Sequence, residues 1–326
     1  MESFEYVNLR SQLNERRGRL NRAIEESKQP QNLVSLLQKV DTVLERMDNG
    51  SYGMCDFCHE TIEEELLASD PCAKFCIAHL SEDEQRHLEQ DLGLAAKIQS
   101  SLLPKNNFHS HGYEISFHYQ PAGLVSGDYC DIMVNDLDGS IIFIIGDITG
   151  KGIAASMLMT HIHAFVHSMI GFNLPVNELV ERVNRLFCES SLYSHFVTMV
   201  CGRADKNGKV EICNAGHCLP VLIKKGEVIN LDSNGMPVGL FKTGTYFSNQ
   251  LQLAEGEAIL LYTDGLSEAN FNDEEYGTER INNVALKNFG LNPGKLIDTY
   301  LYDVAAFTRS HQLRDDLTLL AIQRKE

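Results

Sequence analysis

Four short acidic segments, spread over nearly two hundred residues, constrain this chain more than any other feature: Ser126-Gly127-Asp128-Tyr129, Gly146-Asp147-Ile148-Thr149-Gly150, Tyr262-Thr263-Asp264-Gly265 and Arg314-Asp315-Asp316-Leu317-Thr318. The last three adjoin apolar runs at 141–145, 258–261 and 317–322, of the kind that form buried strands. A carboxylate at the mouth of a buried strand is costly unless it is paired or bound to a cation. Any one segment alone reads as turn chemistry, since Asp-Gly and Gly-Asp pairs are ordinary turn formers. Several of them at strand ends, with glycines permitting close backbone approach, point to hard cations held by oxygen ligands.

A second constellation lies upstream. Cys55 and Cys58 are separated by two residues, and after seventeen more come Cys76 and His79 at the next such spacing. Close ligand pairs of thiolate and imidazole suit a closed, tetrahedral, structural Zn²⁺ site. Cys72 and His59 compete as ligands, although Cys72 is too near Cys76 for the same spacing and reads as a packing residue. A unit of some thirty residues has too little core to stand without a staple, which disfavours a cluster of unliganded thiols.

The zinc motif follows a helical pattern. Apolar residues recur at helical spacing from Tyr6 to Ile24 and from Leu33 to Met47, and Pro30 in Ser27-Lys28-Gln29-Pro30-Gln31 breaks the two runs into an antiparallel hairpin. Leu33, Leu36, Leu37, Val40, Val43, Leu44 and Met47 line the second helix, and Asn49-Gly50 ends it. Residues 82–102 read as one further helix, capped by Ser81 and stopped by Pro104. Its apolar stripe fits either a dimer contact or packing on its own domain.

Beyond Pro104, strands are expected at 113–120, 129–134, 140–145, 196–203, 209–214, 221–224, 246–253, 258–262 and 317–323, with helices at 153–170, 176–190, 277–288 and 293–309. Strand runs separated by paired helices suggest an α+β domain of two sheets with helices outside. The expected division is 1–80 for the hairpin and zinc unit, 81–104 for a connector helix and 105–326 for the main domain.

Composition bounds the function. A formal charge of −17 argues against a protein that holds nucleic acid by neutralising phosphates. The stretch 56–91 is dominated by Asp and Glu against Lys74 and Arg86 alone, a solvated face or a docking surface for a basic partner. The start of the chain lacks a basic n-region and an apolar h-region, and the nine cysteines are odd in number and unevenly placed, so a cytoplasmic protein without a membrane partner is expected.

The four acidic segments, in their order and with their neighbours, resemble the metal-dependent serine/threonine phosphatases of the PPM class, in the bacterial RsbU/SpoIIE-type branch. The same likeness extends through Ala96-Lys97-Ile98-Gln99 to Leu102-Leu103-Pro104, Gly150-Lys151-Gly152, Asn214-Ala215-Gly216-His217 and Pro237-Val238-Gly239-Leu240. The resemblance implies an α-β-β-α sandwich with two Mn²⁺ or Mg²⁺ ions at one end of the sheets. It implies that Asp147 bridges them, with the backbone carbonyl of Ile148 beside it. Asp264 and Asp315 complete the first ion's shell, and Asp128 serves the second directly or through water. Asp316 is the alternative to Asp315. Asp147, Asp264 and Asp128 are thus the expected catalytic set. The segment from Leu44 to Cys76 similarly resembles the zinc finger of DksA/TraR-type proteins, with His79 where a fourth cysteine is more usual. The acidic hairpin tip of that family is missing, so its polymerase-directed function is not carried over.

What the resemblance implies is hydrolysis of phosphoserine or phosphothreonine in a phosphoprotein by a metal-activated water. The family's substrates suggest an anti-sigma-factor antagonist as that phosphoprotein, and its connector helices suggest a homodimer. Lys151 serves either substrate phosphate or a solvated loop. His217 is either a general acid or a structural residue. His161, His163 and His167 read as packing or surface residues, because no carboxylate follows them at a zinc-protease spacing. The rival readings are a catalytically silent metal-bound sensor or scaffold, and a transcription regulator acting through the zinc hairpin.

Overall fold

The computed structural model describes residues 3–26, 31–63, 66–67, 70–104, 108–190, 195–309 and 314–325, without the side chains of 3–8, 26, 82–84 and 108. Two compact units emerge, Met1–Asp91 and Leu92–Glu326, so the division falls inside the connector helix.

The first unit opens with α1 (Ser3–Glu26) and α2 (Gln31–Asp48). The turn expected at 27–31 lies almost wholly outside the described residues. Leu13 packs against Val40, Val43, Leu44 and Met47, so the C-terminal half of the expected α2 stripe is the buried half, while Leu36 is exposed. Gly50, with φ of +77°, ends α2 as only a residue tolerant of the left-handed region does without strain. Arg46 is buried, and its guanidinium donates to the carbonyls of Met54, Ala73 (3.3 Å) and Ser51 (3.4 Å) and pairs with Asp56 (3.3 Å). A buried cation so satisfied ties the helix end to the cysteine turns.

The helix α3 (Glu82–Leu102) bridges the two units with the bounds expected. The second unit is a sandwich. Six strands run in the order β1 (Phe108–Ser110), β2 (Tyr113–Gln120), β13 (Leu317–Arg324), β10 (Ala258–Tyr262), β7 (Val221–Lys224) and β8 (Glu227–Asn230). The facing sheet runs β3 (Tyr129–Val134), β4 (Ile141–Ile148), β5 (Val197–Ala204), β6 (Lys209–Ala215) and β9 (Asn249–Gln252). All pairings in both sheets are antiparallel. A small hairpin, β11 (Asn270–Phe271) with β12 (Glu274–Glu275), stands apart.

Period-two alternation builds three core layers from these strands. On β4, Ile142, Ile144 and Ile148 face α4 (Gly152–Met169) and α5 (Val176–Ser190), whereas Ile141, Phe143 and Ile145 enter the space between the sheets. On β10, Ile259 and Leu261 meet Phe143 and Leu320 between the sheets. Ala258, Leu260 and Tyr262 pack on the other side against α7 (Gly277–Lys287) and α8 (Pro293–Thr308). The α-β-β-α order therefore follows from both faces of each sheet being apolar. By length and composition α4 is apolar enough to cross a membrane, and here its Ala155, Met159, Ile162, Val166 and Met169 are buried on the sheet.

Two expected strands shift by more than one residue. The run at 246–253 shortens to Asn249–Gln252, because Phe247 is held by one bond to the Asn234 carbonyl and Leu253 by one to Gly208, outside any ladder. The run at 140–145 lengthens to Ile148, which carries Asp147 into the strand itself.

Candidate metal centres

Antiparallel pairing brings the acidic segments to one end of the sandwich. Asp128 immediately precedes β3, and Tyr129 pairs with Gly146 on β4, one residue before Asp147. In the opposite sheet Tyr262 pairs with Leu319, so Asp264, which opens α6 (Asp264–Ser267), lies beside Asp315 and Asp316. Two threonines join the sheets there. Thr318 and Thr263 donate their hydroxyls to one oxygen of Asp128, at 2.5 and 3.0 Å, and all three residues are buried.

Close backbone approach completes the junction. A Cβ on Gly127 would lie 3.0 Å from the Ile148 carbonyl oxygen and 3.4 Å from Oδ1 of Asp147. At Gly265 it would lie 1.9 Å from the Asp316 carbonyl oxygen. Glycine is therefore a steric requirement at 265, whereas at 127 a Cβ would fit only if its neighbours gave by a few tenths of an ångström.

The electrostatics are those of a carboxylate set short of positive charge. Burial, then the neighbouring Asp264, Asp315 and Asp316, push Asp147 up to about 7. Burial and the charge of Asp147 raise Asp128 well above the carboxylate range despite its two hydroxyl donors. Burial and Asp315 raise Asp264. Glu268, whose N–H donates to the Asp264 carbonyl at 2.7 Å, is raised by burial and Asp264 as well. Lys151 counters them from the rim, its ammonium 2.9 Å from Asp315. Hard oxygens that disfavour their own ionisation fit divalent cations. The set is more open than a closed cage: among the described residues, it is other side chains whose ligand atoms converge within 4.8 Å.

The two adjacent aspartates differ in what they touch. Both oxygens of Asp316 accept backbone N–H groups, from Ala122 at 2.7 Å and Gly127 at 3.1 Å, and so fix the loop before Asp128. Asp315 instead meets Lys151 and faces Asp147 and Asp264 electrostatically. His217 is buried and held at about 4 by burial; its Nδ1 lies 2.8 Å from Thr198 Oγ1, whose strand position pairs with Asp147.

In the first unit Cys55, Cys58, Cys76 and His79 bring their ligand atoms within 4.8 Å of one another. Cys76 Sγ lies 3.1 Å and Cys55 Sγ 3.8 Å from His79 Nδ1, and Cys58 Sγ is 3.8 Å from Cys76 Sγ. Cys72 packs instead against the hairpin core, and His59 is outside the group. Three soft thiolates and an imidazole fit Zn²⁺.

Sequence reasoning missed Gln99, Thr263 and Thr318 as supports and Glu268 as a neighbour, since a hydroxyl or an amide carries no pattern until its partner arrives from elsewhere in the chain. It also read His163 and His167 as packing or surface residues, whereas Asp131 on β3 meets both, at 3.4 and 2.6 Å.

Relatives place this geometry. Residues 137–325, more than half of the chain and including Asp147, Asp264 and Asp315, match the profile of stage II sporulation protein E (SpoIIE). The chain is 27% identical over 282 residues to protein IcfG of Synechocystis sp., covering 77% of this chain and 44% of that protein. It is 24% identical over 245 residues to the phosphoserine phosphatase RsbU of Bacillus subtilis, covering 74% of this chain and 72% of RsbU. The chain thus spans less than half the length of IcfG. The SiaA-PP2C domain of Pseudomonas aeruginosa shares the fold, with a TM-score of 0.65 at 17% identity over 75% of this chain and 98% of that one. The profile match shows that the chain belongs to the SpoIIE family, and its sandwich is the fold of the SiaA-PP2C domain.

Proposed function

We propose that this chain is a metal-dependent phosphoprotein phosphatase of a regulatory pathway, hydrolysing phosphoserine or phosphothreonine, with an anti-sigma-factor antagonist as its substrate. One observation carries the reading: carboxylates from both sheets meet at one end of the sandwich, where Thr263 and Thr318 of one sheet hold Asp128 of the other and Asp147 stands under the charge of Asp264, Asp315 and Asp316.

Asp147, the carbonyl of Ile148, Asp264 and Asp315 are the residues to hold one Mg²⁺ or Mn²⁺, with Asp147 shared and Asp128 serving a second. Bound there, such ions lower the pKa of a water to make a nucleophile and neutralise phosphoryl oxygens. The remaining work falls to the chain. Thr263 and Thr318 orient Asp128, and Asp316 holds the loop that presents it. Lys151, exposed at the rim, is placed to meet an incoming phosphate. His217, buried and neutral, steadies Thr198 beside Asp147 and is a support in this reading.

The Cys55, Cys58, Cys76 and His79 group holds one structural Zn²⁺ in the same proposal, stapling a small unit. Leu94 and Ile98 are exposed on α3, 58% and 51%, and offer the face for a second copy of the chain.

The test is release of phosphate from a phosphoserine peptide by the full-length protein with and without Mn²⁺, beside Asp147→Asn. Activity that needs Mn²⁺ and is lost in Asp147→Asn supports the proposal. A folded, Mn²⁺-loaded protein that releases no phosphate from peptide or phosphoprotein refutes it and favours the silent sensor.

A further inference from the structure

Away from the carboxylate cleft, on the face of the five-stranded sheet covered by α4, Asp131 of β3 meets His163 and His167 of α4. Four residues apart, the two imidazoles lie on one face of the helix, their ring centroids 4.0 Å apart. Asp131 Oδ2 is 2.6 Å from His167 Nε2 and 3.4 Å from His163 Nδ1. All three ligand atoms fall within 4.8 Å of one another.

Hydrogen bonding accounts for only part of this arrangement. His167 satisfies Asp131, as do the Tyr129 hydroxyl on Oδ2 at 2.9 Å and the Ile132 N–H on Oδ1 at 2.8 Å. His163 Nδ1 is different. It is shut off from solvent, and its one polar neighbour among the described residues is Asp131, whose carboxyl it helps to lower through a long contact. At 3.4 Å it stands too far from the carboxylate for a good hydrogen bond. Two ligand atoms bound at about 2.0–2.1 Å to one tetrahedral ion lie about 3.3 Å apart, which is the separation His163 keeps. His167 needs to lose its shared proton and withdraw by roughly 0.7 Å.

We propose that Asp131, His163 and His167 form a third metal-binding site, separate from both the carboxylate cleft and the cysteine cluster, for a zinc-class divalent ion. Two imidazoles and a carboxylate select borderline ions such as Zn²⁺, Co²⁺ or Ni²⁺ over Mg²⁺. The His167 side chain is 43% exposed while Asp131 is 5% exposed, so an ion would reach the site from the His167 side. Outer support is in place: the buried Tyr129 hydroxyl and the Ile132 N–H hold the carboxylate in its orientation. Occupancy would cross-link β3, which starts one residue after Asp128, to α4, which starts five residues after Asp147. The ion would thereby pin together two elements that follow Asp128 and Asp147 closely in the chain. The inference stands on these side chains and does not need the phosphatase reading.

The experiment is a Co²⁺ and Zn²⁺ titration of the full-length protein in excess Mg²⁺, which keeps the carboxylate cleft occupied. Cobalt at the cysteine cluster reports by a thiolate charge-transfer band, and cobalt on imidazole and carboxylate reports by visible ligand-field bands alone. The expected result is a further equivalent of tightly bound metal after the thiolate band has saturated, with ligand-field intensity but no added charge transfer. His163→Gln with His167→Gln should lose that equivalent and leave the thiolate band unchanged. The wild-type titration decides the matter even where the variant is unstable: saturation at the thiolate band, with no further tight equivalent, overturns the proposal. So does an extra equivalent that persists in a folded double variant.

Discussion

Gln99 grips the backbone of Ser126 from both sides, its amide nitrogen donating to the Ser126 carbonyl at 2.6 Å and its amide oxygen accepting the Ser126 N–H at 3.0 Å. Both groups are buried, and Ser126 stands two residues before Asp128. A helix outside the sandwich thus holds the loop that delivers a carboxylate to the cleft. Gln99→Ala leaves a buried N–H and a buried carbonyl unpaired, at about 1–3 kcal/mol each. The variant should melt lower and need more Mn²⁺ for half-maximal phosphate release. An unchanged Mn²⁺ dependence would show that the loop is held elsewhere.

The Thr318 hydroxyl makes the closer of the two hydroxyl contacts to Asp128. Thr318→Val keeps the shape and removes the donor, costing roughly 1–3 kcal/mol. It should weaken Mn²⁺ binding by calorimetry, and Thr318→Ser should recover most of the loss. Equal binding by all three proteins would deny Asp128 a part in the metal shell.

Gly265→Ala places a methyl 1.9 Å from a backbone carbonyl that cannot step aside, so either the fold or the cleft must give. Loss of most phosphate release with a lowered melting temperature is expected. Gly93→Ala is the contrast. It sits within α3 with nothing within 4 Å of its added Cβ, and should stabilise by about 0.5–1 kcal/mol.

Acidity should affect the protein free of Mg²⁺ and Mn²⁺ in a definite direction. Asp147 has an ordinary carboxylate value when unfolded and about 7 when folded, so its folded state keeps a proton that the unfolded chain has lost. Its contribution is fully present below the unfolded value and disappears as pH rises through about 7. Between pH 6 and 8 this amounts to roughly 1 kcal/mol of stability, lost on the alkaline side. Denaturant midpoints of wild type and Asp147→Asn should diverge over that window. Added Mg²⁺ should stabilise wild type more at pH 8 than at pH 6, because the ion competes with a proton. Parallel pH curves for the two proteins would remove the charge-crowding argument.

Cys58→Ser should abolish the cobalt–thiolate band and unfold the first unit, since affinity for a structural zinc is folding free energy. A variant with the full band and unchanged melting would mean the cluster holds no metal.

How much of this was legible beforehand depends on the range of the interaction. Alternation along β4, β10 and β13 and the helical spacing of α3 and α5 are local, and the strands β2, β3, β7 and β10 and the helices α3 and α5 match the bounds expected from the chain alone. The cysteine and histidine spacing is local as well, which is why those four residues could be named before their ligand atoms were seen to converge. The hairpin β11–β12 and the strand β1 escaped, because runs of two or three residues are too short to show a period, and β8 escaped as an edge strand with only Val228 and Ile229 apolar.

The chain by itself determined which segments are strands and helices, which faces are apolar, and that several carboxylates must share a cleft, because periodicity and the cost of buried charge act through neighbours in sequence. Only the tertiary structure decided what each polar group does. Asp316 holds the loop while Asp315 faces Lys151, Gln99 secures Ser126, and two helix histidines find Asp131 across the sheet. Those roles come from contacts between segments up to 194 residues apart, and a hydrogen bond leaves no trace in sequence pattern until the fold supplies the second partner.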